Sequence, residues 1–145
     1  MIKMKTASLL DFDLCAPLIY SKIDYLPAEI HENEEVLLFY ELNPAQSSSI
    51  EPAKELFLLK QIYIGKKPQD TGLADADRII LPAGKYIFSQ RRGDSPLLKQ
   101  EEWLDMAVEQ QKDALWERYK LSNLLYVRHL FEDGMFVIQL FRPEQ

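Results

Sequence analysis

A dipeptide near the end of the chain places the strongest constraint on its fold. Asp133 and Gly134 separate two apolar runs, residues 124–131 and 135–141. Asp-Gly favours a two-residue hairpin turn, because both turn positions need left-handed backbone. We therefore predict an antiparallel hairpin here, whose register the turn fixes. The opposed pairs are Glu132 and Met135, Phe131 and Phe136, His129 and Ile138, Arg128 and Gln139, and Tyr126 and Phe141.

The side chains of this predicted hairpin divide between two faces, because successive residues of a strand point in opposite directions. One face, typical of a core, carries Leu125, Val127, His129, Phe131, Phe136, Ile138 and Leu140. The other face carries Tyr126, Arg128, Leu130, Val137, Gln139 and Phe141. This second face is aromatic and apolar around one Arg–Gln pair, a pattern that ligand-facing sheet surfaces show. We expect its rings to contact a ligand, with Arg128 and Gln139 fixing a polar end.

A long helix is predicted before the hairpin. Ser95 and Pro96 have the residue types of a helix N-cap and a first helical position, and the helix should span about 96–121. Two short strands, 78–81 and 85–90, should precede it, joined by a turn at Pro82 and Gly84. The apolar stripe of the helix consists of Leu104, Ala107, Val108, Leu115 and Tyr119, with Trp103, Ala114 and Trp116 on or beside it.

The first part of the chain is predicted to be β structure. Strands are expected within 16–25 and over 36–42, with Val36, Leu38, Tyr40 and Leu42 on one face of the second and Glu35, Leu37, Phe39 and Glu41 on the other. One face suits a core and the other a cleft wall. Residues 52–65 suit a helix or a buried strand, and the length of the apolar run slightly favours the strand. The predicted class is α+β, an antiparallel sheet with one long helix packed on it, in a single domain of residues 1–145.

Composition limits the classes of function. The 145 residues include 17 Lys and Arg against 23 Asp and Glu, a net charge of −6, which argues against general nucleic-acid binding. No apolar run approaches the ~20 residues of a membrane-spanning helix, and the first residues do not resemble a signal peptide. The single cysteine excludes an intramolecular disulfide. These features predict a cytoplasmic protein that does not bind membranes.

Sequence signatures of catalysis and of cofactor binding are missing. The two histidines and one cysteine lack metal-ligand spacing, and the sequence has neither a nucleophile elbow nor a glycine-rich phosphate loop. We therefore predict no metal, no cofactor and no catalytic residue. Glu35 and Glu41 share a strand face with Leu37 and Phe39 and are the candidates for a partly buried acid. The one assigned to the site is Glu41. A small-molecule hydrolase, the least favoured function, would use that same acid.

One stretch of the sequence resembles the gyrase-inhibitor-like (GyrI-like) small-molecule-binding domain. The stretch is Leu81-Pro82-Ala83-Gly84-Lys85-Tyr86-Ile87-Phe88, followed by Arg92, Gly93 and a helix with Trp103. With the two closing strands, the resemblance covers about residues 78–143. It implies two βαββ-like halves around a shared cleft, found alone or behind a DNA-binding region in multidrug-responsive regulators. It also implies that aromatic walls and a buried glutamate bind hydrophobic, often cationic compounds.

The chain departs from that family at the glutamate. Two residues before the tyrosine of the closing strand it has Leu124, and the nearby Arg128 favours a neutral or anionic ligand. We expect a stand-alone, non-catalytic effector-binding domain. Its predicted ligand contacts are Tyr86, Phe88, Tyr126, Arg128, Gln139, Phe141 and Glu41. The alternative is a regulatory module that binds a partner protein through an acidic surface, residues 29–35 above all, and a homodimer is also considered.

Overall fold

Eight antiparallel strands and one long helix dominate the residues that the computed structural model describes, 7–67, 77–93 and 100–145. The strands are β1 (Ala7–Leu14), β2 (Leu18–Ile23), β3 (Glu35–Leu42), β4 (Leu58–Lys67), β5 (Arg78–Leu81), β6 (Gly84–Gly93), β7 (Leu124–Glu132) and β8 (Met135–Pro143). The helical elements are α1 (Pro44–Ser47), a 3-10 turn (Lys54–Leu56) and α2 (Gln100–Trp116). The predicted α+β class, an antiparallel sheet with one long helix, is confirmed, although strands predominate.

The sheet curls until its two ends meet. Its strand order is β1-β6-β8-β7-β3-β4-β2-β5, so β1 and β5 form the edges. Short links nevertheless join β1 to β2 and β5 to β6, strands from opposite ends of that order. The pairs Leu14–Gly84 and Leu18–Leu81 continue one ladder across this corner. We call the enclosed side of the sheet the inner face and the side that carries α2 the outer face.

Helix α2 covers the outer face and completes the larger core. Trp103 of this helix packs on Tyr40 of β3, with ring centroids 5.1 Å apart. The other buried sheet residues in this cluster are Val36, Leu38, Leu42, Ile64, Leu125, Val127, Ile138 and Leu140. Alternation along the hairpin assigned these β7 and β8 side chains to a core, and that prediction is confirmed. For β3 the sequence left open which face is the core, and the structure packs the face of Val36, Leu38, Tyr40 and Leu42 in the cluster with α2.

The C-terminal hairpin has the register that its turn predicts. β7 and β8 pair in antiparallel fashion with Arg128 opposite Gln139. Asp133 and Gly134 have φ angles of 52° and 73°, the left-handed backbone that the two-residue turn requires. A short local signal therefore determined which hairpin side chains face α2 and which face the inside of the curl.

Helix α2 ends at Trp116 rather than at the predicted residue 121. Arg118 has a φ angle of 68°, and the amides of Arg118 and Tyr119 donate to the carbonyls of Leu115 and Ala114. This is the Schellman arrangement, in which glycine is the usual left-handed residue, so an arginine there hid the helix end. Trp116, expected on or beside the apolar stripe, is 76% exposed. The predicted helix start at residue 96 lies outside the described residues.

Residues 52–65 contain the 3-10 turn and most of β4. The strand alternative for this segment is therefore correct, with a helical turn at its beginning. The prediction that the strand is buried is only partly correct, because Leu59 and Tyr63 are 56% and 41% exposed. β4 pairs with β3 through two register shifts, and such irregularities break the simple alternation of a strand.

A buried arginine links α1, α2 and the last strand. The Arg142 guanidinium is fully buried and donates to the carbonyls of Ser122 and Ser47 and to Gln111 Oε1, at 2.8, 2.9 and 2.9 Å. Burial lowers the pKa of Arg142 to about 10. Gln111 of α2 is a polar residue buried beside the apolar stripe of the helix. It also donates to the backbone carbonyls of Gln46, in α1, and Ser49, just after it. Its burial is thus explained by hydrogen bonds rather than by apolar packing.

Tyr20 of β2 lies very close to Gly65 of the neighbouring strand β4. A Cβ atom added to Gly65 would lie 2.7 Å from Cβ of Tyr20 and 3.4 Å from Cδ1 of Ile79. Tyr20 is fully buried and packs in the cluster on the inner face. Only glycine leaves room for Tyr20 at this point of β4.

Gly65→Ala should lower the free energy of unfolding by about 1–3 kcal/mol, because the added methyl group displaces Tyr20. Gly93→Ala is the matched control, since Gly93 also belongs to a strand and an added Cβ there meets nothing within 4 Å. Urea unfolding of both variants measures the difference. Equal stability of the two variants would contradict the close approach of β2 and β4.

Candidate functional site

All seven predicted ligand contacts lie on the inner face, but only six of them form one group. The register of β6, β8 and β7 aligns Tyr86, Phe88, Tyr126, Arg128, Gln139 and Phe141 on one side of the sheet. Glu41 lies on the same side of β3, half-buried, opposite Lys60 of β4 and Leu124 of β7. It stands apart from the polar side chains described below.

The four aromatic side chains of this group pack on one another. The ring centroid of Phe141 lies 5.5 Å from that of Tyr86 and 5.1 Å from that of Phe88. Tyr86 meets Tyr126 edge to face at 6.3 Å, and Phe12 of β1 stacks on Phe88 at 4.5 Å. None of the four predicted contacts is more than 7% exposed. These rings therefore form a core inside the curl, behind the accessible part of the inner face.

A chain of polar side chains crosses the inner face beside these rings. Glu35 Oε1 accepts hydrogen bonds from the Tyr20 hydroxyl and from Arg128 Nε, both at 2.8 Å, and lies 2.7 Å from Arg128 Nη2. Arg128 Nη1 donates to Gln139 Oε1 at 2.8 Å, and Gln139 Nε2 donates to Gln90 Oε1 at 2.8 Å. The predicted polar pair is thus brought together, but its groups already bond to the protein itself.

Burial and charge fix the protonation of these residues. Burial raises the pKa of the Tyr20 hydroxyl far above its ordinary value, Glu35 adds to the shift, and Arg128 opposes it. Burial disfavours the charge on Arg128, but Tyr20 and Glu35 outweigh this and raise its pKa. Burial also raises the pKa of Tyr86 to about 12 and raises the pKa of Tyr126. Tyr20, Tyr86, Tyr126 and Arg128 therefore stay protonated near pH 7.

An open groove of about 210 Å³ borders the aromatic core. Its lining consists of Lys22, Phe39, Tyr63, Arg78, Ile79 and Ile80. Phe39 stacks on Tyr126 with ring centroids 4.4 Å apart and planes at 3°, and it stacks on Tyr63 at 6.2 Å. Lys22 Nζ lies 5.4 Å from the centre of the Tyr63 ring. The predicted contact Tyr126 therefore supports a wall of the groove from behind.

Sequence reasoning assigned Phe39 to a face that suits a cleft wall, but it missed the rest of the groove. Tyr63 lies in the segment left open between helix and strand, so its face was undefined. Lys22 lies within a predicted strand, but only the pairing of β2 with β4 and β5 places it beside the other lining residues. The available signal was a lysine in a mostly apolar strand, and such a lysine is also common on a solvated strand.

No family model, curated protein or solved structure matches this chain. Within residues 7–67, 77–93 and 100–145, no group of three His, Cys, Asp or Glu side chains is placed to hold a metal ion. In the same ranges no helix combines the length and the apolar character needed to cross a membrane. The function is therefore inferred from the geometry of the inner face.

Glu35 and Arg128 should depend on each other for their contribution to stability. Glu35→Gln removes the charge that compensates Arg128, whose side chain is only 16% exposed, so we expect a loss of about 1–3 kcal/mol. A variant with both Glu35→Gln and Arg128→Met should lose less than the sum of the two single variants, because no unpaired charge remains. Urea unfolding of the four proteins gives the coupling energy. Strictly additive losses would argue against this ion pair.

Proposed function

We propose that the chain is a non-catalytic small-molecule-binding domain that holds a flat, mainly apolar ligand in the groove of the inner face. The observation that carries the proposal is the open groove beside the stacked rings of Phe39 and Tyr63. Small-molecule sites are concave and mostly apolar, with a few polar groups that orient the ligand. Such sites typically measure ~300–1,000 Å³. The groove, at about 210 Å³, is smaller than this range, so it suits a small ligand of one or two rings.

The support for this wall is rigid. Phe39 is held face to face against Tyr126, which in turn meets Tyr86 edge to face. Tyr63 is 41% exposed and stacks on Phe39 from the side of the groove. The aromatic wall is therefore already ordered before a ligand binds. Such preorganisation lowers the entropic cost of association. Four predicted contacts, Tyr86, Phe88, Tyr126 and Phe141, act in this proposal through the packing behind the wall.

The proposal also includes the finer architecture that the GyrI-like resemblance implies. In it, β6, α2, β7 and β8 form the second βαββ-like half, and the first half has only the four-residue α1 and the 3-10 turn where a full helix is expected. The cleft is then the inner face, and Arg128 and Gln139 belong to the polar chain beside its aromatic core rather than to the lining of the groove. The chain works as an effector-binding domain that contains its own ligand site.

A partner-binding function through the acidic segment 29–35 has less support. His31 lies between Glu29 and Glu34 at 3.3 and 2.7 Å, and Glu34 also pairs with Lys66 at 3.1 Å. Glu35 is paired with Arg128 on the inner face. Neutralised carboxylates attract a basic partner weakly, so the small-molecule function is the better of the two.

Tyr63→Ala should weaken binding of 2-naphthamide, a neutral two-ring probe, by roughly 3- to 10-fold, because the variant loses one stacking ring worth about 0.5–1.5 kcal/mol. Titration calorimetry measures the dissociation constant, and urea unfolding should show little change, since Tyr63 is partly exposed. Tyr25→Ala is the matched control, because Tyr25 is 78% exposed and lies outside the groove lining. Failure of the wild type to bind the probe, or equal weakening by both variants, would contradict the proposed site.

A further inference from the structure

Charge on the inner face is opposite in sign to the charge of the whole chain. The chain carries −6. In the described strands β2, β3, β4, β6, β7 and β8, register and alternation place two sets of charged side chains on the inner face. The cationic ones are Lys22, Lys60, Lys67, Arg92 and Arg128, and the carboxylates are Glu35, Glu41 and Glu132. A net positive surface within an acidic molecule attracts anions locally and leaves the rest of the surface repulsive to them.

The groove has a cationic side chain of its own. Its described lining residues include Lys22 and no carboxylate. The carboxylate of Glu35 already holds Arg128 and the Tyr20 hydroxyl, so it is not available to compensate a cationic ligand. Tyr63, the accessible ring, already has a cation beside it in Lys22. A cationic ligand would therefore meet like charge at the position where stacking is available.

We infer that the ligand of this groove is an anion, specifically a planar aromatic carboxylate whose ring stacks on Tyr63 and whose carboxylate pairs with Lys22. This inference rests on the proposed function, because it assigns the charge of a ligand in the same groove. The Lys22 ammonium lies 5.4 Å from the Tyr63 ring centre and has three donors on a flexible stem. A carboxylate at the edge of a stacked ring lies within reach of such a group.

The test compares three probes of one shape on the full chain at low ionic strength: 2-naphthoate, 2-naphthamide and 2-naphthylmethylammonium. Titration calorimetry should give 2-naphthoate about 10-fold tighter binding than 2-naphthamide, with the ammonium probe weaker than both. Higher salt should reduce the advantage of the carboxylate, because exposed charges are screened. Lys22→Gln should weaken 2-naphthoate roughly 3- to 10-fold and leave 2-naphthamide unchanged, whereas Lys112→Gln, on the exposed side of α2, should affect neither.

The outcomes separate this inference from the proposed function. Equal binding of 2-naphthoate and 2-naphthamide overturns the anionic ligand but leaves the aromatic groove as a binding site. Equal weakening of 2-naphthoate by Lys22→Gln and Lys112→Gln overturns the pairing with Lys22, because only the net charge of the chain would then matter. If none of the three probes binds, the proposed function and this inference both fail.

Discussion

The architecture depends on the close approach of Tyr20 of β2 to Gly65 of the neighbouring strand β4. Because β4 has no side chain at this point, Tyr20 of β2 enters the inside of the curl and becomes fully buried. From there its hydroxyl reaches Glu35 and lies 2.9 Å from Arg128 Nε. One missing Cβ therefore affects both the shape of the sheet and the polar network that crosses its inner face.

The apolar side chains on the two faces of the sheet are buried by different elements. The outer face is covered by α2, and its side chains pack against Trp103 and neighbouring helix residues. The inner face has no helix among the residues of its cluster, and it is filled by rings from strands that the curl brings together. Rings pack edge to face or stack at preferred angles. The open groove lies at the border of this cluster, beside the stacked rings of Phe39 and Tyr63.

Local signals in the sequence were sufficient for much of the fold. The Asp133-Gly134 turn and the alternation of the flanking strands predicted which hairpin residues lie together, including Arg128 and Gln139. They were insufficient wherever the answer depends on contacts between distant strands. The groove beside Tyr63 exists because β2 pairs with both β4 and β5, and no local pattern encodes these pairings. A left-handed arginine at position 118 and the buried Arg142 were likewise invisible, because both depend on tertiary partners.

The position of β8 has a consequence for how the chain acquires its structure during translation. β8 follows every other described element in the chain, yet it lies between β6 and β7 in the sheet. It also carries Arg142, which bonds to segments on both sides of α2. A nascent chain that has emerged from the ribosome only as far as β7 therefore has a gap in its sheet and an apolar helix face with an incomplete core. Folding of this sheet must wait for synthesis of β8, and until then the unpaired edges of β6 and β7 are the surfaces that a chaperone would have to protect.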